Sequence, residues 1–257
     1  MPQRPIHGLK RDIPDIRDLR YSRDYLKIGR FGQLLRSFVL PKSVDLRSKP
    51  MPPVVDQGTL GSCTANAAQA VIGHVEADEG DGVLVGSRLF LYGNSRGWDP
   101  VDSGAYLRDV MKALAKYGIC EEALWPYDLT RWKDKPPVEV FDAAASRAGV
   151  AYYRINTVES MKMCLAVDGN PFVFGVAVYD TFGKLGPGHV VPVPTRQDRL
   201  EGGHAICAVG YDNDKGLLFR NSWGKDWGDG GHAWLPWRYV ENDGLFFDAW
   251  AIRSIPN

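Results

Sequence analysis

Cys63 is the residue in this chain best placed for covalent chemistry. It follows Gly61-Ser62 and opens the run Thr64-Ala65-Asn66-Ala67, where apolar residues begin to recur at helical spacing. A thiol at a helix N-terminus feels the positive end of the macrodipole and backbone N–H groups that have no helical partner. Both favour the thiolate, the form that attacks carbonyl carbon. Gly-Ser-Cys alone reads more simply as a small buried cysteine in a turn, and three further residues tip the balance. Gln57 stands six residues earlier in Gln57-Gly58-Thr59-Leu60-Gly61-Ser62-Cys63, and its amide could join the Cys63 N–H in holding an oxyanion. His204 follows Gly202-Gly203, 141 residues after the cysteine. Asn221 opens Asn221-Ser222-Trp223-Gly224, and its side-chain carbonyl could fix one imidazole nitrogen and aim the other at sulfur.

The remaining candidates are weaker. Cys164 shares a helical face with Met161 and Leu165, and Cys207 lies in an apolar run, so both read as core fillers. Cys120 sits in a turn after Gly118, where it could be exposed. No Cys-x-x-Cys is present, so no metal site is expected. His74 reads as structural or exposed, His189 as loop and His232 as a strand residue. Ser62 and Ser222 lack a second base, and Glu121-Glu122 reads as a solvated turn.

These residues must be positioned by a sizeable fold. The 257 residues carry 31 Lys/Arg and 31 Asp/Glu, which excludes a globally basic nucleic-acid binder. The longest apolar run, Phe172–Tyr179, is far short of the ~20 residues of a membrane helix. The first residues lack the apolar core of a secretory signal, leaving the localisation open between cytoplasm and export by another route. The zero net charge is uneven: residues 1–50 sum to +7 and residues 51–257 to −7. A basic arm therefore precedes an acidic body.

Helical spacing predicts a helix from Cys63, a second from Ser103-Gly104 through Lys116, and a third over Val158–Ala166. Strands are predicted at Phe172–Tyr179, Ala205–Gly210, Leu217–Arg220, His232–Leu235 and Ala249–Arg253. Helices first and strands later indicate an α+β fold.

Taken together, the chain resembles the papain-like cysteine peptidases, in the bacterial and viral branch that includes xylellain-like enzymes. The resemblance rests on Pro41-Lys42-Ser43-Val44-Asp45-Leu46-Arg47, Gln57, Cys63, Ser103-Gly104, Trp125-Pro126-Tyr127, Gly203-His204-Ala205, Val209-Gly210-Tyr211 and Asn221-Ser222-Trp223-Gly224. The separation of Cys63 from His204 falls in the family's spacing of about 130–150 residues. The resemblance implies a two-lobed fold, with a helical lobe at about 55–150, a β-barrel-like lobe at about 151–257, and the cleft between them. It implies an endopeptidase acting through a Cys63–His204–Asn221 thioester mechanism, with Gln57 in the oxyanion site. Gly104, Tyr106, Gly175, Gly203 and Trp223 would border the substrate, with Trp223 shielding the Asn221–His204 bond. The partners implied are a peptide or protein substrate and the chain's own arm; no cofactor, nucleic acid or membrane is implied, and the chain is expected to be a monomer. An amidase or acyl transferase on the same triad, or a silent binding protein, are the rival readings. Leu60 replaces a bridging cysteine of many relatives and Thr64 an aromatic residue, which points to a disulfide-free variant.

In such enzymes an N-terminal segment lies in the cleft in the non-productive direction. Residues 1–40 would be that segment and 41–257 the catalytic domain. Part of residues 20–40 is expected to cover the cleft, with the opposite charges of arm and body favouring docking and cleavage near Leu40-Pro41 releasing it.

Overall fold

The computed structural model describes residues 8–21 and 39–253. Its organising element is helix α1 (Cys63–Glu79), buried all round from Cys63 to Val75 and closed by Gly80 in the left-handed conformation. A helix apolar on every side belongs in the interior, and α1 packs against helices on one flank and the sheet on the other. On the first flank lie α2 (Arg88–Ser95), α3 (Leu107–Tyr117) and α4 (Val138–Ala145). Ser87 caps α2 by accepting a hydrogen bond from the Phe90 N–H. The helical core joins Val71, Ile72, Phe90, Met111 and Leu114 to Trp250 of the sheet.

The strands are β1 (Leu9–Lys10), β2 (Ser43–Asp45), β3 (Ala105–Tyr106), β4 (Ala151–Ile155), β5 (Phe172–Tyr179), β6 (Leu200–Asp212), β7 (Gly216–Arg220), β8 (His232–Leu235) and β9 (Phe246–Arg253). Helix α5 (Val158–Ala166) and the short α6 (Trp237–Val240) join them. The large sheet runs β4-β9-β5-β6-β7-β8, with β2 also on β6, and every pair is antiparallel. Among the described residues it does not close, so the β lobe is an open twisted sheet over its own core of Phe172, Phe174, Phe219 and Tyr239, and not a barrel.

β5 is buried on both faces from Phe172 to Val178, which explains its unbroken apolar sequence: α1 covers one face and the β core the other. Its register with β6 sets Val176 opposite His204 and Gly175 opposite Ala205. That pairing carries His204 to the junction of the two cores.

Three expectations need correction. The predicted second helix starts at Leu107, because Gly104 has a φ of 72° and Ala105–Tyr106 pair with β1. Cys120 is fully buried, under helical-lobe side chains and not in a surface turn. Helices α2 and α4 and strand β4 were not anticipated from the spacing.

Candidate active site

Ser62 occupies the N-cap position of α1 but gives the helix no side-chain cap. Its hydroxyl lies 2.5 Å from the Tyr127 hydroxyl instead and receives the Asn66 amide at 2.9 Å. The helix N-terminus is thus left open toward Cys63, where the backbone N–H groups of Ala205, Thr64 and Cys63 itself favour the thiolate. Ala205 is the residue after His204, so the fold brings the thiol to the strand position carrying the imidazole.

His204 is buried, and its Nε2 lies 2.8 Å from Asn221 Oδ1. Asn221 follows β7 directly, and its own N–H donates to the Gly231 carbonyl at 2.9 Å. The Trp223 indole stacks on the imidazole with centroids 5.0 Å apart, backed by Trp227 and Phe182. With Nε2 committed to Asn221, Nδ1 is the nitrogen available to exchange a proton with sulfur.

Gln57 is equally fixed. Its Oε1 accepts from the Ser222 hydroxyl at 2.6 Å, and its Nε2 donates one hydrogen to the Leu60 carbonyl at 2.9 Å. The second amide hydrogen remains for a ligand. The Gln57 carbonyl takes the Tyr127 hydroxyl at 2.9 Å, and the Arg88 guanidinium lies 3.7 Å over the Tyr127 ring while pairing with Glu122 at 2.5 Å. A buried polar network therefore holds the Gln57–Cys63 loop from below.

The space above the sulfur is filled by the arm. A side-chain carbon on Gly8 would come within 2.7 Å of Cys63 Sγ and 2.5 Å of the Gly61 carbonyl oxygen. Gly8 accepts a hydrogen bond from the Ala105 N–H at 2.9 Å, and β1 then runs parallel to β3. The Leu9 side chain packs on Gly175, and its carbonyl on Gly203, so closely that neither glycine has room for a β-carbon. Beyond the cleft, Arg154 reaches Asp12 at 3.3 Å and Asp248 at 2.6 Å, Arg108 pairs with Asp18 at 2.7 Å, and the Trp250 N–H donates to Asp12 at 3.1 Å. Tyr21 is buried and hydrogen-bonds Asp168.

These contacts revise the expected docking in two ways. The described residues over the sulfur are Gly8–Lys10, earlier than the 20–40 stretch, of which residues 22–38 lie outside the described residues. Among the described residues, the ion pairs between arm and body set carboxylates of the arm on arginines of the body, the reverse of their net charges. Burial also overrides the helix terminus: with the arm in place, desolvation pushes the Cys63 thiol up to about 12, against the lowering by its three N–H donors.

A family profile described as papain family cysteine protease matches residues 40–242. An uncharacterized peptidase C1-like protein, L477, of Acanthamoeba polyphaga mimivirus is 35% identical over 96% of this chain and 86% of its own length. The crystal structure of xylellain, a cysteine protease from Xylella fastidiosa, aligns with a TM-score of 0.85 at 36% identity, covering 100% of this chain and 99% of xylellain. A digestive procathepsin L 3 of Tenebrio molitor shares the fold at a TM-score of 0.72 and 19% identity, covering 97% of this chain and 77% of its own.

The chain belongs to the papain family of cysteine proteases.

Against the family pattern, Leu60 fills the helical core, and all four cysteines are free thiols. Among the residues expected to border substrate, Gly175 and Gly203 lie against Leu9, Gly104 lines the cavity beside Lys10, and Tyr106 presents its ring to the Lys10 ammonium. Trp223 lies on His204. Among the described residues no group of three or more His, Cys, Asp or Glu could hold a metal. No helix there is long and apolar enough to cross a membrane.

Sequence reasoning missed several parts of the site. Ser222 was weighed only as a nucleophile, whereas it orients Gln57. Tyr127 served as a family anchor without a role, and it ties Ser62 to Gln57. Asp102 receives the Gly61 N–H at 3.0 Å and the Tyr92 hydroxyl, steadying the loop before Cys63. Its adjacency to Ser103-Gly104 was the one available signal. Phe247, against Gly175, had no sequence signal at all.

Proposed function

We propose that this protein is a latent endopeptidase that cleaves peptide bonds through a Cys63–His204–Asn221 thioester mechanism. The observation that carries the reading is the convergence at the start of α1: the backbone N–H groups of Cys63, Thr64 and Ala205 favour the Cys63 thiolate, and the imidazole next to Ala205 is anchored on Asn221. Once the arm leaves, water and substrate reach the thiol, and the desolvation that pushes it up is relieved. His204 Nδ1 then takes the thiol proton, and the thiolate attacks the peptide carbonyl. Gln57 Nε2 and the Cys63 N–H hold the oxyanion. His204 passes its proton to the leaving amine, and water hydrolyses the thioester.

Endopeptidase action is the mode of cleavage that the family resemblance implies. Residues 1–40 act as the inhibitory segment and 41–257 as the catalytic domain. The family match beginning at residue 40 supports that division, as does the anchoring of the Pro41 carbonyl by the Tyr211 hydroxyl at 2.7 Å. Val39 is 88% exposed, so the chain near Leu40-Pro41 is open to cleavage.

The test uses full-length protein. Gly8→Ala places a carbon where the structure leaves no space, so this variant is expected to hydrolyse peptides faster than the parent chain. Cys63→Ala is expected to be inactive in either background. Equal activity of parent and Gly8→Ala sinks the inhibitory arm; hydrolysis by purified Cys63→Ala protein sinks the mechanism. N-terminal sequencing of incubated protein is expected to find a new terminus near Pro41.

A further inference from the structure

The arm seats two successive side chains beside the cleft, and the second carries a charge. Lys10 extends from β1 alongside β3, and its ammonium donates to the Ser103 hydroxyl at 3.0 Å and lies 5.7 Å over the Tyr106 ring. It borders a cavity of about 270 Å³ lined further by Asp99, Gly104, Asp109 and Arg96. The Arg96 guanidinium is turned to the wall: it donates to the Asp99 and Val101 carbonyls and stacks on Tyr92 at 4.3 Å and Trp132 at 5.1 Å. Asp99 holds the Val101 N–H at 2.9 Å through Oδ1 and keeps a second carboxylate oxygen. Asp109 is contacted by Lys112 only at 3.9 Å. A hydroxyl acceptor and an aromatic face thus meet the ammonium two residues along from the one over the sulfur, and two carboxylates line the same cavity.

We infer that Ser103, Tyr106, Asp99 and Asp109 form a subsite that selects a lysine or arginine side chain of the substrate, two residues from the residue whose carbonyl meets Cys63. Lys10 fills this subsite in the latent chain. The inference rests on the peptidase reading above, and adds to it a charge preference at one position. An ammonium over an aromatic ring, or a partly exposed ion pair, contributes about 0.5–1 kcal/mol. The preference is therefore moderate, roughly three- to tenfold including the Ser103 hydrogen bond.

The experiment profiles cleavage of a peptide library by full-length Gly8→Ala protein, randomised at the three positions on each side of the cut. Enrichment of Lys and Arg over Glu and Gln is expected two residues from the attacked one, on one side only. The enrichment, read as the ratio of turnover with Lys to turnover with Gln at that position, is expected to fall in Asp99→Asn and Asp109→Asn versions. Cleavage with no basic enrichment there, or enrichment unchanged in both carboxylate variants, overturns the subsite and leaves the peptidase reading intact. Absence of cleavage of every peptide, with Cys63 unreactive to a thiol-directed epoxide, overturns both.

Discussion

At Cys63 two opposing influences meet, and their balance depends on what covers the sulfur. Three backbone N–H groups favour the thiolate, while burial under Gly8 holds the thiol up to about 12. Alkylation of Cys63 in the parent chain is therefore expected to be slow across neutral pH and to accelerate only in strongly alkaline solution. In Gly8→Ala it should already be fast near neutrality; identical pH–rate profiles would contradict this. Gln57 gives a separable prediction. Losing one oxyanion donor costs about 2.7–4 kcal/mol, or about 10²–10³ in turnover, so Gln57→Ala in the Gly8→Ala background should lose that much kcat with little change in KM. Ser222→Ala frees Gln57 Oε1 from its 2.6 Å partner and should lower kcat by a smaller factor. Cys63, Gln57, His204 and Asn221 stood out in the sequence as candidates because their chemistry limits the residue types that can serve. Ser222 and Tyr127 were not, because their roles arise from contacts between segments far apart in the chain.

Among the elements, β1 is the one on which the proposed latent state depends. It is two residues long, and its sequence, Leu9-Lys10 between Gly8 and Arg11, carries no strand signal; pairing with β3 makes it a strand. The same pairing shortened α3, since Ala105–Tyr106 must stay extended to receive it. The long apolar run of β5 and the helical spacing of α5 were read correctly because each is set by local pattern. A pH dependence also belongs at this scale. Asp12 of the arm and Asp248 of β9 are both raised above the usual carboxylate range, first by burial, with mutual repulsion adding to the rise at Asp12. Groups raised in the docked state make docking most favourable below the free-carboxylate range near 3.9, and this contribution is lost as pH rises through the docked values. Activity of the parent chain relative to Gly8→Ala should therefore rise as pH climbs above the free-carboxylate range near 3.9. Asp12→Asn should flatten that rise, and a rise of unchanged steepness would contradict the assignment.

The whole molecule is two cores sharing one helix and one sheet. Both groups of the reaction sit where they join, the thiol on α1 and the imidazole on β6. Segregation of helices before strands made that architecture legible. The direction of the arm's ion pairs was not, because net charge averages over residues that never meet. Arg108 and Arg154 receive Asp18 and Asp12 although the body as a whole is acidic. Arg154→Met should weaken docking and raise the activity of the parent chain, read as the ratio to Gly8→Ala under identical conditions. The central claim is tested most directly by titrating full-length Gly8→Ala protein with a thiol-directed epoxide while peptide hydrolysis is followed. One equivalent should attach at Cys63, and hydrolysis should vanish in proportion. Hydrolysis that persists once Cys63 is fully modified would contradict the account.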